Sequence, residues 1–386
     1  MGRMLREIVC GAALVTAGVA CAPPDAPEAA PARARVAPAP QVAPAPPADP
    51  RVCPLLREAP AAVAAVDGGA DCPVAPAVRA ALARDALSED ELAALRGDIE
   101  RAVAGQPEAC VAALGRELAA ATDCGLVYDA VAIRILTGAA VDPRHAASEL
   151  LRPATCQWKA LAALREATTV DPTIVAAVSL LTGNADVDVA SSAWMTLGTL
   201  GRLAREAGAD GLVACVEERL AAELADRVDA SQGVLIAAAG NAGCRRCGDL
   251  LHAEARGADP ARRRLAVAAL RFLPDERDVE ALCQVLRAEP DAPIRGTAAF
   301  ALRHGASRLE RRLQCLFETA TEDAAESVVH DAIASIAELA AGSELGIGTL
   351  VQVGRSAALP SARTHAADAL RAFATDDAIL ALLNAP

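Results

Sequence analysis

A repeat of 32 residues constrains the fold of this chain more than any other feature. The segments 259–271 and 291–303 align without gaps, and each opens on an Asp with a Pro in the first turn. An Asp at this position accepts bonds from unpaired backbone N–H groups, and Pro presets the helical φ angle. Apolar residues at helical spacing follow, such as Ile294, Ala298 and Leu302. The pattern predicts equivalent helices in successive repeats.

The same register continues on both sides of that pair. A leucine-like position recurs at intervals of 31 to 42 residues, and a small residue lies four positions before it in six of seven copies. A small side chain there allows a partner helix to approach closely, so helical hairpins can stack and share a core. The leucine-like positions are Leu164, Leu197, Ala239, Leu270, Leu302, Ile336 and Leu370, and the residues four before them are Ala160, Ala193, Leu235, Ala266, Ala298, Ala332 and Ala366.

This spacing, with Asp or Pro at helix entry and Arg inside, resembles that of HEAT repeats. The resemblance implies an all-α fold, a right-handed α-solenoid of stacked helical hairpins, over residues 151–386. Residues 238–243 and 263–270 also resemble the helical domain of the large lipid transfer proteins, the vitellogenin family. That second resemblance implies a carrier of lipid or another apolar ligand, although no segment here reads as the β-sheets that form the lipid cavity in that family.

The first residues have the pattern of an export signal. Arg3 and Arg6 precede an apolar run at 8–20 that is too short to span a membrane. The run ends at Cys21 in a way that resembles a bacterial lipoprotein signal, which implies that 1–21 is a signal peptide with Cys21 as lipid anchor. We therefore expect an exported protein, periplasmic or anchored in the outer membrane. An ordinary signal cleaved before Cys21 would instead leave a soluble secreted chain.

Two segments separate the signal from the repeats. Residues 22–53 are almost entirely Pro, Ala and a few charges, which predicts a disordered tether because such a segment cannot bury enough surface to fold. Residues 54–150 have a less regular helical pattern, with a capping box at 88–91 that opens a helix ending near Ala104. We interpret 54–150 as an irregular helical N-terminal cap of the array, since terminal repeats are usually atypical.

The cysteines predict disulfides, because an even number remains after the signal in an exported chain. Nearness in sequence favours Cys53–Cys72, Cys110–Cys124 and Cys283–Cys315, and elimination leaves Cys156–Cys215. Cys244 and Cys247 form a Cys-x-x-Cys pair, which we interpret as a structural disulfide in a turn. Thiol–disulfide exchange at this pair is an alternative, and zinc is disfavoured since a second ligand pair is missing.

Arginines cluster in the central repeats, although the chain has a net charge of −13 that argues against nucleic acid as a partner. Arg263 and Arg295 are equivalent in adjacent copies, as are Arg271 and Arg303, so stacking would arrange them in ladders. A ladder could bind an acidic partner or lipid headgroups. Alternatively, and more in keeping with surface ion pairs, the arginines neutralise neighbours such as Asp259, Asp275, Asp291 and Glu310. The candidate partner-binding residues are Arg245, Arg246, Arg263, Arg264, Arg295 and Arg303; Arg262, Arg308, Arg311 and Arg312 belong to the same cluster.

Motifs for catalysis are missing from the sequence: the five histidines are scattered, and 184–188 lacks the later ligands of a calcium loop. We interpret Asn184 and the Asp residues after it as caps of the next helix, and Trp158 and Trp194 as core residues. The sequence thus predicts a non-catalytic scaffold without cofactor or metal, whose curved face binds another protein. The alternatives are the apolar carrier and the exchange enzyme using Cys244 and Cys247.

Overall fold

Helices make up all the regular secondary structure of the residues that the structure describes. The computed structural model describes residues 72–84, 87–105, 107–119, 128, 132, 156–226, 232–273, 275–304, 308–375, 378, 379, 381 and 383. All of them belong to one structural unit, Ala48–Pro386. They form sixteen α-helices and no strand, so the described part of the chain is all-α. The expected signal peptide, Cys21 and the tether lie outside the described residues.

The helices follow one another with short connections. Two single 3-10 turns, Arg245–Cys247 and Leu270–Phe272, lie among them. In chain order the helices are α1 Ala75–Leu82, α2 Glu89–Gly105, α3 Pro107–Ala119, α4 Gln157–Leu164, α5 Pro172–Leu181, α6 Val187–Glu206, α7 Asp210–Asp226, α8 Gln232–Ala242, α9 Gly248–Glu254, α10 Pro260–Ala269, α11 Glu276–Ala288, α12 Ala292–Leu302, α13 Leu309–Glu322, α14 Glu326–Ala340, α15 Glu344–Ser356 and α16 Pro360–Leu370.

Capping residues in the sequence determine where several helices begin. The Asp259 carboxylate accepts a bond from the backbone N–H of Ala261 at 2.9 Å, and Pro260 is the first residue of α10. Asp186 caps α6 in the same way, as predicted from the Asn and Asp residues at 184–188. The predicted capping box opens α2, where the backbone N–H of Ser88 donates to Glu91 Oε2 at 2.8 Å. These side chains satisfy backbone donors that have no partner within the helix.

Alternate helices pack on one another along the chain. Each of α4, α6, α8, α10, α12 and α14 contacts the helix two positions later, so these six and α16 form one row. A second row is formed by α11, α13 and α15, and α7 contacts the 3-10 turn that precedes α9. Adjacent helices such as α11 and α12 join the rows. The strong contacts among the described helices therefore connect only near neighbours in sequence.

The periodic positions of the sequence form the interface within the first row. All seven leucine-like residues and all seven residues four positions before them are at most 1% exposed. Backbones approach closely at two glycines, since a Cβ added at Gly198 would lie 2.4 Å from Ala238 O. A Cβ added at Gly240 would lie 2.5 Å from Ala269 Cα. Small side chains at these positions thus allow α6, α8 and α10 to pack in direct contact.

One core prediction was wrong. Trp194 is buried at 3% exposure, as expected, but Trp158 is 36% exposed. The difference arises from helical phase, because Trp158 lies two residues before Ala160, or about 200° around the helix from that buried residue. Its ring faces solvent and the ammonium group of Lys159, which lies 4.7 Å from the ring centroid.

Candidate functional site: two arginine ladders

The first ladder, Arg263 and Arg295, binds the backbone of the chain itself. Arg263 Nη1 donates to the carbonyl oxygens of Gly257 and Ala258 at 3.1 and 3.0 Å. Arg295 Nη1 makes the equivalent bonds one repeat later, to the carbonyls of residues 289 and 290 at 2.9 and 3.1 Å. Arg363 repeats the arrangement in α16. A guanidinium at this position therefore satisfies carbonyl groups of the loop that follows the preceding helix.

The remaining donors of this ladder bind carboxylates of the equivalent loop one repeat later along the chain. Arg263 forms two bonds with Glu289, at 3.2 and 3.0 Å, and Arg295 forms two with Asp323, at 2.7 and 2.9 Å. The side chains of Arg295 and Asp323 are only 15% and 7% exposed. Burial alone would raise the pKa of Asp323, but the bonds from Arg295 and the N–H of Ala325 hold it below its usual value. We call Arg263 and Arg295 the clamp ladder, since they join one repeat to the next.

Most other arginines of the cluster also pair across repeats. Arg262, Arg308 and Arg311 pair with acidic residues, as expected, but those residues are Glu254, Glu276 and Glu280 in place of the expected Asp259, Asp275, Asp291 and Glu310. Asp259 and Asp275 cap their own helices. The candidates Arg245 and Arg246 are exposed at a 3-10 turn. The cross-repeat pairs and bonds are Arg262 with Glu254, Arg264 with Thr297, Arg308 with Glu276 and Arg311 with Glu280, while buried Arg312 donates to the carbonyl of Leu302.

The second ladder, Arg271 and Arg303, has a different environment. The guanidinium carbon of Arg271 lies 4.6 Å from the ring centroid of Phe272, and that of Arg303 lies 3.8 Å from the centroid of Phe300. The His304 ring lies between them, 5.8 Å from Phe272 and 4.9 Å from Phe300. Arg303 Nε donates to His304 Nε2 at 3.1 Å. We call these five residues the Arg–Phe–His cluster.

The two arginines of this cluster differ in their partners. Arg303 pairs with Glu338, but the bond recorded for Arg271 is a weak one to the amide oxygen of Asn241, at 3.3 Å. Burial, followed by repulsion from Arg303 and Arg202, lowers the pKa of Arg271 to about 10. No carboxylate among the described residues forms an ion pair with Arg271. A partly buried cation without an anion is unfavourable, so this position is suited to an external anion.

The burial and positive charge around Arg271 also affect the His304 side chain. Burial of its ring, followed by repulsion from Arg303, Arg271 and Arg312, lowers the pKa of His304 to about 4. The imidazole is therefore neutral at neutral pH, and Nε2 can accept the bond from Arg303. A guanidinium stacked on an aromatic ring keeps its in-plane donors for a carboxylate or phosphate. Chemically, the Arg–Phe–His cluster can therefore bind an anionic group.

Sequence reasoning found part of this site. Arg303 was among the predicted candidates and Arg271 was recognised as its equivalent, but Phe272 and Phe300 were missed, and His304 was noted only as one of five scattered histidines. The available signal was an aromatic residue within three positions of each ladder arginine. Arg263 and Arg295, also candidates, are placed in the interior contacts of the clamp ladder.

The cysteines form disulfides within and between helical units. Cys283–Cys315 joins α11 and α13 with a Cα–Cα distance of 5.6 Å, as its one-repeat separation predicted. The pairings Cys53–Cys72 and Cys110–Cys124 are wrong, because Cys72 bonds to Cys110. Packing of α1 against α3 brings these two together across 38 residues, so tertiary contact prevailed over nearness in sequence. Cys156 and Cys215 are each disulfide-bonded, and their pairing with each other stays a prediction. The cysteines 53 and 124 themselves lie outside the described residues.

Cys244 and Cys247 form a disulfide at the turn between α8 and α9. Both residues are fully buried, and the Cys244 sulfur accepts a bond from the N–H of Cys247 at 3.2 Å. Thiol–disulfide exchange requires an accessible sulfur, so burial favours the structural interpretation. A cleft of about 370 Å³ beside this turn is lined mainly by charged residues, among them Arg245, Asp275 and Arg277. Its lining is unlike the apolar groove that a lipid carrier would need.

Other classes of site find no support in the described part of the chain. Its His, Cys, Asp and Glu side chains contain no group of three that could hold a metal ion. None of the described helices combines the length and apolar character of a membrane span. No protein-family model matches this chain, and no curated protein matches it either. The function is therefore inferred from the chemistry of the surface itself.

Proposed function

We propose that this protein is a non-catalytic scaffold of the cell envelope, a right-handed HEAT-like solenoid that binds a protein partner on its surface. The observation that carries the proposal is the burial of all fourteen periodic positions, at most 1% exposed, in one continuous row of helices. Such an interior leaves the exposed faces as the place for recognition. The clamp ladder and Cys283–Cys315 join consecutive repeats, which would keep that surface rigid.

The proposed location follows from the cysteines. Disulfides persist in oxidising compartments, which indicates a protein outside the cytoplasm. We propose further that Cys21 carries a lipid and that residues 22–53 tether the array to the outer membrane. Cleavage without lipidation would give a soluble periplasmic or secreted scaffold with the same array.

The Arg–Phe–His cluster is the part of the surface best suited to contact a partner. Charge reversal at Arg263 or Arg295 would not test this, because both hold the array together. Arg271 is better suited, since its donors are largely unused by the described residues. Arg371 offers a matched control: it follows Leu370 as Arg271 follows Leu270, but it is exposed and pairs with Asp368 within its own turn.

Crosslinking in intact cells tests the proposal with four chains: wild type, Arg271→Glu, Arg371→Glu and Cys21→Ser. We expect one partner protein to be crosslinked to wild type and to Arg371→Glu, and to be reduced at least about fivefold with Arg271→Glu. Cys21→Ser should release the chain from the membrane fraction. Recovery of the same proteins in equal amounts with all four chains would contradict both the binding surface and the anchor.

A further inference from the structure

Arg271 is the arginine of the cluster whose donors remain available to a ligand. Its guanidinium is half-buried and stacked on Phe272, and its hydrogen bond within the described part of the chain is the weak one to Asn241 Oδ1. The amide NH2 group of Asn241 forms no hydrogen bond with the described residues, so it can donate beside the guanidinium. One charged and one neutral donor group are therefore present for an anion.

The neighbouring arginines already have partners, which limits the site to one negative charge. Arg303 pairs with Glu338, and Arg202 pairs with Glu206 within α6. The charges of Arg303 and Arg202 repel that of Arg271 but offer it no counterion. A nucleic acid or an anionic membrane would also meet the two glutamates and a chain of net charge −13. The charges thus favour a ligand with a single anionic group.

An uncharged surface adjoins the two donor groups. The residues two positions before the leucine-like positions of α6, α8, α10 and α12 are Met195, Ala237, Ala268 and Phe300, all half-buried. The close backbone approaches described above keep α6, α8 and α10 in this register. Because the two alanines lie four and three residues before Asn241 and Arg271, they share a helix face with those donors, one turn away. Two small residues between two large ones form a shallow surface that we call the apolar depression.

A chain end combines the two features that this surface would recognise. Its terminal carboxylate and its last side chain are attached to the same carbon, so a carboxylate bound by Arg271 leaves that side chain beside the apolar depression. An internal Asp or Glu belongs to a backbone that continues in both directions. Its further peptide groups would lie on an apolar surface that offers them no partner. Charge and shape together favour a C-terminus with an apolar last residue.

We propose that Arg271 and Asn241 bind the C-terminal carboxylate of a partner protein whose last side chain is large and apolar. That side chain packs on Ala237 and Ala268, in the apolar depression. The inference rests on the proposed scaffold function and specifies the chemistry of the partner. Phe272 supports the guanidinium by stacking, so its in-plane N–H groups face the carboxylate.

Binding of defined peptides to the full chain tests this recognition. The probe is N-acetylated Ser-Gly-Ser-Ala-Leu with a free C-terminal carboxylate. Its controls are the same peptide as a C-terminal amide, and the amide of Ser-Gly-Ser-Glu-Leu, whose carboxylate is on a side chain. We expect the acid to bind about tenfold more tightly than either control. Arg271→Gln should abolish this difference, whereas Arg371→Gln should retain it.

The apolar depression has a test of its own. Ala268→Leu would fill it while leaving Arg271 in place, so binding of the peptide ending in Leu should weaken by about fivefold or more. A peptide ending in Gly should be affected less. Ala162→Leu is the matched control, because Ala162 is half-buried at the equivalent position of α4. Wild-type affinity of Ala268→Leu for the Leu peptide would exclude the apolar depression from the site.

Four further results would overturn the inference. The first is equal affinity of wild-type protein for the acid and its amide, a comparison that does not depend on any variant folding. The second is equal affinity for the acid and the Glu-containing amide. The third is unchanged affinity in Arg271→Gln whose circular dichroism matches wild type. The fourth is binding of phosphatidylglycerol vesicles, but not of the acid, that is lost in Arg271→Gln. If no peptide binds while crosslinking in cells still depends on Arg271, the scaffold function stands and recognition of a chain end is rejected.

Discussion

The two arginine ladders show how the same residue type serves two purposes according to what its donors reach. Arg295 uses one nitrogen for two backbone carbonyls and the others for Asp323, whereas the hydrogen bond of Arg271 within the described part of the chain is a weak one to Asn241. A guanidinium with saturated donors stabilises the fold and offers little to a ligand. One that is stacked on an aromatic ring without a carboxylate has donors left for recognition.

Arg295→Gln should lower the free energy of unfolding by about 2–3 kcal/mol at neutral pH, because Asp323 would remain largely buried without its partner. The pKa of Asp323 lies below its usual value in the folded state, so this contribution is present above the unfolded pKa and is lost as pH falls through the folded one. The difference between variant and wild type should therefore shrink in acid. Urea unfolding across the acidic range measures both effects.

Arg287→Gln provides the control for this comparison. Its pair with Glu318 also bridges two repeats, but the two side chains are 49% and 32% exposed. Solvent screening should limit the loss to less than about 0.5 kcal/mol. Equal destabilisation by Arg287→Gln and Arg295→Gln would show that the clamp ladder stabilises the fold no more than an exposed pair does. If the loss of unfolding free energy in Arg295→Gln stayed the same as pH falls, the Asp323 carboxylate would be excluded as its cause.

The partners of individual arginines depend on loop geometry, which the sequence does not reveal. Equivalence of Arg271 and Arg303 could be read from the repeat, and so could that of Arg263 and Arg295. The sequence did not show which ladder has its N–H donors already bonded, because the acidic partners of the clamp ladder lie 26 and 28 residues later, in other loops. The aromatic contacts of the second ladder depend likewise on how two turns fold beside each other.

At the scale of helices, packing distance is set by glycine and alanine. Gly198→Ala would place a Cβ against the backbone of Ala238, so we expect α6 and α8 to separate and stability to fall by about 1–3 kcal/mol. Gly348 is helical and exposed, and nothing lies within 4 Å of a Cβ added there. Gly348→Ala should raise stability by up to about 1 kcal/mol through helix propensity. The urea midpoints of Gly198→Ala and Gly348→Ala measure these changes. If both substitutions stabilised the protein, close packing at Gly198 would be refuted.

Helix positions were more predictable than cysteine pairs for a physical reason. The start of α10 depends on Asp259 and Pro260, which are adjacent, and its buried face depends on residues three and four apart. Both are local patterns that repeat along the chain. The bond from Cys72 to Cys110 depends on the packing of α1 against α3, which follows no repeat, so nearness in sequence gave the wrong partners.

For the molecule as a whole, the pattern of contacts determines how far a perturbation spreads. Strong contacts among the described α-helices join helices at most two apart in order. The free energy of such an array is close to a sum of contributions from each repeat and from its neighbouring interfaces. A globule, in which distant segments share one interior, would instead unfold as a single unit.

Hydrogen exchange in Gly198→Ala distinguishes these two cases. Strain between α6 and α8 should accelerate exchange of amide groups in α4 to α8 by about tenfold or more, because local opening needs less free energy there. Amide groups in α14 to α16 should exchange at the wild-type rate, since no strong contact connects them directly to the altered interface. Mass spectrometry of peptides from both regions measures this within one sample, and Gly348→Ala controls for substitution itself. Uniform acceleration from α4 to α16 would mean that the repeats open together, and the description of the chain as a series of neighbouring units would then be wrong.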